Sequence, residues 1–217
     1  MSAPSDANLL EAWRGGDDRA GELLFNRHGA AIARFFENKV RVGAEDLVQA
    51  TFLAMIEKRE VVTIDFRAYM FAIARNVLRS HVRRLARDRG VDPDVSSMAT
   101  MDPGPSTLAG QRREHRLLLE GLRHLPLDSQ VLLELHYWEG LDAGTIAKIT
   151  GGQASSARQR LTRARRKLDE VMAQLTATPE LLATTLQDLE GWAAQIRGML
   201  GGEKGGSGPD LEGGGPA

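Results

Sequence analysis

Residues 142–168 read DAGTIAKITGGQASSARQRLTRARRKL, and the architecture can be built outward from them. In Asp142–Thr150 the apolar residues Ile146, Ala147 and Ile149 share a helical face. Gly151-Gly152 then breaks the pattern, and Ser155-Ser156 open a second segment held by a narrow seam of Leu161, Ala164 and Leu168. Six of the ten residues from Arg158 to Lys167 are basic and none is acidic. Docked by that seam, the second helix turns Arg158, Arg160, Arg163, Arg165 and Arg166 outward, with Gln159 and Thr162 between them. Helix, short glycine turn and second helix is the helix-turn-helix arrangement, whose outer face can enter a major groove and neutralise phosphates. Small Ser155 and Ser156 let the helix start approach a phosphate, which free N–H groups and the helix dipole favour. A solvated, arginine-rich surface helix is the plainer alternative.

Outside this stretch the apolar spacing is helical almost everywhere, so the chain is expected to be all-α. The short cluster Val61-Val62-Thr63-Ile64 reads as a loop rather than a strand. Gly15-Gly16 ends a short first helix and Asp17 or Asp18 caps the next. Between Arg67 and Arg89 lies a second basic stripe, with arginines at 67, 75, 79, 83, 84, 87 and 89 against one acid, Asp88. Phe66, Tyr69 and Phe71 are interleaved at its start; Phe71 reads as core, and Tyr69 as core or base-stacking. Before it, Glu45 to Ile56 is acidic at its start and more apolar than one buried face requires. That surplus suggests a partner-binding face or fuller burial within the domain.

Composition sets bounds. At 217 residues, 42% hydrophobic and 26% charged, the chain suits one large or two small globular domains. It has no cysteine, which excludes disulfides, thiolate metal ligands and thiol nucleophiles. The five histidines form no ligand spacing and no glycine-rich phosphate loop occurs, so no metal, cofactor or catalytic residue is expected and the protein is read as no enzyme. No apolar run is long enough for a membrane span and the start lacks a signal-peptide pattern, so a cytoplasmic location is expected. Taken as a sum, the net charge of -1 argues against nucleic acid, yet residues 168–217 alone carry -6 and residues 1–167 carry +5.

Glu45-Asp46-Leu47-Val48-Gln49-Ala50-Thr51-Phe52, the run Phe66 to Asn76, the segment Leu125 to Leu141 and the helix-turn-helix block occur in an order that resembles the extracytoplasmic-function (ECF) group of bacterial sigma factors, in the sigma-70 family. The resemblance covers about residues 6–88 and 112–173. It implies that Asp46, Gln49 and Phe52 meet core RNA polymerase, at the β′ clamp, with β as a further partner. It implies that Arg59, Thr63, Arg67, Tyr69, Arg75, Asn76, Arg79, Arg83 and Arg84 recognise and open the −10 promoter element. Ser155, Ser156, Arg158, Gln159, Arg160, Thr162, Arg163, Arg165 and Arg166 would read the −35 element. Transcription initiation is the implied function, promoter DNA and core polymerase the partners, and an anti-sigma factor a further one. A sigma-like decoy that binds only an anti-sigma factor is the alternative. The chain departs from the family at Tyr69, usually Trp, at Ser80, usually Asp, and at Gly152 and Ala157, where larger apolar residues are usual.

The expected organisation is two small helical domains, at 1–87 and 112–174, joined by an acidic, Pro-rich flexible linker at 88–111. Residues 175–200 are expected to form an amphipathic extension helix, with Leu182, Leu186, Leu189, Ala193, Ile196 and Leu200 in one stripe and Trp192 beside it. Such a helix could pack on its own domain or receive a regulator. The Gly-rich end, 201–217, is expected to be disordered.

Overall fold

A computed structural model describes residues 3–40, 42–62, 65–92, 96–101, 113–176 and Gly191. Among the described residues the secondary structure is helical, with no strand beyond one isolated bridge, Ser97 to Pro126. Helices α1 (Asp6–Arg14), α2 (Asp18–Glu37), α3 (Ala44–Lys58) and α4 (Phe66–Arg89) form the first half, with a 3₁₀ turn at Arg59–Val61. Helices α6 (Arg113–Arg123), α7 (Leu127–Tyr137), α8 (Ala143–Thr150) and α9 (Ala154–Leu175) form the second, and the short α5 (Met98–Met101) lies between.

Carboxylates start three of these helices. Asp17 accepts from the N–H groups of Arg19 and Ala20, Asp65 from Ala68 at 2.9 Å and Asp142 from Thr145 at 2.8 Å. Each satisfies an N–H that a helix start leaves unpaired. Gly90 ends α4 at φ +64°, and Gly151 and Gly152 turn between α8 and α9 at φ +79° and +114°, where a side chain would be strained.

Leu24, Ile32, Phe36, Met70, Phe71 and Leu78 are buried at the centre of the first half. The same apolar cluster runs on into Leu127, Val131, Leu132 and Leu135 of α7 and Ile146, Ala147 and Ile149 of α8. A second cluster, with Leu118, Leu122, Trp138, Leu168 and Met172, joins α6, α7 and α9. The second half therefore presents one apolar face to its own core and another to the first half.

The linker region differs from its expected form. Helix α4 continues to Arg89, and residues 96–101 are packed, with Met98 wholly buried and Thr100 O accepting from Arg89 at 3.3 Å. A lone methionine in a polar stretch carries no period, yet its burial is worth about 1.5–3 kcal/mol, enough to hold a short turn. Residues 93–95 and 102–112 lie outside the described residues. So do residues 177–190 and 192–217, which hold the extension's apolar stripe, Trp192 and the Gly-rich tail.

Candidate nucleic-acid interface

Helix α3 buries only Leu47, Thr51 and Met55, one stripe at four-residue spacing. Ala44, Val48, Phe52 and Ala54 pack partly against the core, while Leu53 and Ile56 stay at the surface, 54% and 40% exposed. Asp46 and Gln49 are exposed beside them, while Phe52 is half-buried against Phe25, with ring centroids 4.8 Å apart. Together with Val40 and Val48 these residues line a groove of about 900 Å³. The surplus apolarity read from the sequence is thus divided: part of it packs partly on the domain and Leu53 and Ile56 face outward.

The other side of α3 forms a wall of a second groove, about 960 Å³, whose facing wall on α4 carries Asn76, Arg83, Arg84 and Arg87. Asp46 lines both grooves. Asn76, Arg83 and Arg84 are exposed there. Arg75 and Arg79, four residues apart, occupy a different face of α4, turned toward α7. Arg75 is only 8% exposed, and its Nη2 lies 3.1 Å from Asp128 Oδ1; Arg79 lies 4.0 Å from the same carboxylate. Arg67 donates to Glu139 at 2.6 Å. Phe66 and Phe71 are core, and Tyr69 is partly buried against the same cluster. Arg59 stacks toward the Trp13 ring at 5.5 Å, and Thr63 lies outside the described residues.

The sequence gives no sign of what holds the loop before α4. Arg14, the last residue of α1, donates through Nε to Arg59 O at 2.9 Å and through Nη2 to Val62 O at 2.8 Å. One guanidinium fork thereby fixes the backbone on both sides of the 3₁₀ turn.

In the second half α9 starts at Ala154, one residue before the expected serines, so Ser155 and Ser156 lie exposed within its first turn. Arg158, Gln159, Thr162, Arg163 and Arg166 share the open surface. Two arginines do not. Arg160 folds back on the turn, its Nη2 donating to Thr150 Oγ1 at 2.9 Å and Gly151 O at 3.3 Å. Arg165 is tied to Asp169 at 3.0 Å and to the Tyr137 hydroxyl at 3.3 Å. Ala157, small for its place, is fully buried, and Gly152 projects into open space. Asp142, at the start of α8, is held below the usual carboxylate range by the N–H of Thr145.

The described residues contain no metal-binding cluster and no helix long and apolar enough to cross a membrane.

Residues 24–88 match the family model for sigma-70 region 2, and residues 115–168 that for sigma-70, region 4. The chain is 34% identical over 174 residues to the RNA polymerase sigma factor CarQ of Myxococcus xanthus, an overlap covering 76% of this chain and 97% of that protein. It is 26% identical over 183 residues to the ECF RNA polymerase sigma-E factor of Escherichia coli K12, covering 79% and 96%. The chain belongs to the ECF group of the sigma-70 family. The solved structure of the sigma factor RpoE of Bartonella quintana, in complex with the anti-sigma factor NepR, shares the fold of this sigma factor at a TM-score of 0.53 and 24% identity, covering 72% of this chain and 97% of that one. The helical groups described above are thus region 2, carrying both grooves, and region 4, carrying the helix-turn-helix.

Proposed function

We propose that this sigma factor directs core RNA polymerase to promoters through three surfaces, two on region 2 and one on region 4. The exposed apolar face of α3, with Asp46, Gln49 and Phe52, takes the β′ clamp of the polymerase. Arg59, Thr63, Arg67, Tyr69, Arg75, Asn76, Arg79, Arg83 and Arg84 take the −10 element, and the open face of α9 takes the −35 element as duplex. Residues 1–87 and 112–174 act as the two domains, with 88–111 as the tether. The protein supplies no catalytic chemistry of its own and works in the cytoplasm, as a partner of the polymerase.

The supporting observation is that Asp46 lines one groove with Asn76, Arg83 and Arg84 and another with Val48 and Phe52. A polymerase seated on α3 would then lie directly beside DNA held on α4. A decoy without promoter recognition would have no use for Arg158, Gln159 and Arg163 exposed on α9. The structure of the Bartonella relative contains an anti-sigma factor, and a partner of that kind is part of the same proposal here.

Run-off transcription with core polymerase on genomic promoter fragments tests the reading. Specific transcripts are expected only when both protein components are present. Sequence-specific DNA retardation by the chain alone, with no transcript from the pair, would favour a plain helix-turn-helix regulator instead.

A further inference from the structure

The turn before α4 is held by a helix that precedes the span matched as region 2. That match covers residues 24–88, and α1 ends at Arg14. A cation at a helix C-terminus suits the dipole, yet the Arg14 guanidinium reaches residues 45 to 48 positions further along the chain. It donates to Arg59 O at 2.9 Å, to Glu60 O at 3.4 Å and to Val62 O at 2.8 Å. Trp13 backs it, with the Arg59 guanidinium carbon 5.5 Å from its ring. The indole lies close against α2 because Gly21 has no side chain: a Cβ there would lie 2.6 Å from Trp13 Nε1. The other end of α1 is tied down too, with Asp6 paired to Arg27 and, at 2.6 Å, to His28 of α2.

We propose that α1 presets the loop that reads the −10 element, with Arg14 as the positioning residue whose guanidinium, backed by Trp13, holds the Arg59–Val62 turn in the shape that DNA meets. The inference deepens the assignment of Arg59 and Thr63 to the −10 element and rests on it.

A short 3₁₀ turn makes few bonds of its own, so its shape depends on what grips it. Here the grip gives the turn an inside and an outside: Val62 is buried at 7% exposure, while Val61 stands out at 59%. A loop that spends only part of its time in the binding shape loses affinity by that fraction, and fixing it beforehand removes the loss. Carbonyls suit this purpose, because bonds to the backbone occupy none of the turn's side chains. Gripping several carbonyls from one point also needs a fork. Arginine carries five N–H donors in one rigid plane, whereas lysine offers a single ammonium on a flexible stem. Lysine would serve the helix dipole equally well, so the dipole alone does not account for the guanidinium.

The test uses the full chain, whose lack of cysteine allows a single nitroxide label at E60C, on the turn, or at Q174C, near the end of α9, both exposed. In R14K the label at 60 should gain a fast-moving component, and the label at 174 should not change. Open-complex formation by unlabelled R14K holoenzyme on a run-off-positive promoter should fall by about threefold to tenfold. The loss should depend on sequence. The preference for the parent promoter over single −10 substitutions should shrink at the bases that the loop meets, while the preference over −35 substitutions stays as it was. The melting temperature should hardly move, because a surface turn opens locally without unfolding the rest. An arginine with a purely structural role would instead lower the melting temperature and scale every promoter alike, and that result would overturn the proposal. So would an unmoved label at 60, or a loosened turn with −10 preference unchanged. Failure of the −10 assignment has a separate signature: R59A with T63A would leave promoter opening by holoenzyme intact, whatever the label showed.

Discussion

The two basic surfaces look alike as strings of arginine, but their side chains are in opposite states. On α4, Arg75 is buried and Arg79 half-covered, both facing Asp128 of region 4. On α9, Arg158 and Arg163 stand in solvent, while the nearby acids Asp169 and Glu170 engage only Arg165, Arg166 and Lys167 further along the helix. Charge alone therefore does not say which surface is ready for DNA. The two surfaces differ in whether a carboxylate from a distant part of the chain already pairs with their arginines.

The largest effect expected from breaking this contrast is at the covered pair. Removing two charge-assisted contacts of about 1.5–3 kcal/mol each should cost R75A/R79A holoenzyme on the order of a hundredfold or more in open-complex formation. Permanganate footprinting of the −10 region measures it.

At the uncovered surface the expected effect is smaller. R158A should cost about tenfold in −35 duplex binding and lower the slope of log affinity against log salt by about one, if Arg158 contacts one phosphate. Fluorescence anisotropy across a salt series reads both quantities. The loss should be the same in free chain and holoenzyme. Arg160 sharpens the point, because its guanidinium is occupied by Thr150 and Gly151. R160A should weaken −35 binding through a loosened turn, with a melting temperature lowered by a few degrees, as loss of about 1 kcal/mol implies. A change in salt slope with an unchanged melting temperature would instead return Arg160 to the DNA.

This division was only half legible in the sequence. The helix-turn-helix could be read because its information is local: Ile146 and Ile149, then two glycines, then Leu161, Ala164 and Leu168 at helical spacing. Surplus apolarity on α3 was legible for the same reason. The partners of Arg34, Lys39, Arg67 and Arg75 were not, since they lie 105, 95, 72 and 53 residues away along the chain. The one available signal was Glu134, a charge inside the apolar run Val131-Leu132-Leu133-Glu134-Leu135, which asks for a buried cation without naming it. Met98 escaped in the same way, because a single apolar residue among polar neighbours has no period to betray its burial.

The smallest effect belongs to Arg14, which is not among the residues proposed to meet DNA but holds the backbone that leads into α4. Its fork makes separate bonds to Arg59 O and Val62 O, and an ammonium on a flexible stem cannot hold both in one fixed geometry. R14K keeps the charge and should therefore leave nonspecific DNA affinity and its salt dependence unchanged. It should reduce −10-dependent opening by roughly threefold to tenfold, the equivalent of one neutral hydrogen bond. R14A should lose no more than that if positioning is the whole role. A substantially larger loss for R14A, accompanied by a smaller salt slope, would mean that Arg14 leaves the loop and meets a phosphate. That result would make region 2 hold a reserve cation within its own fold.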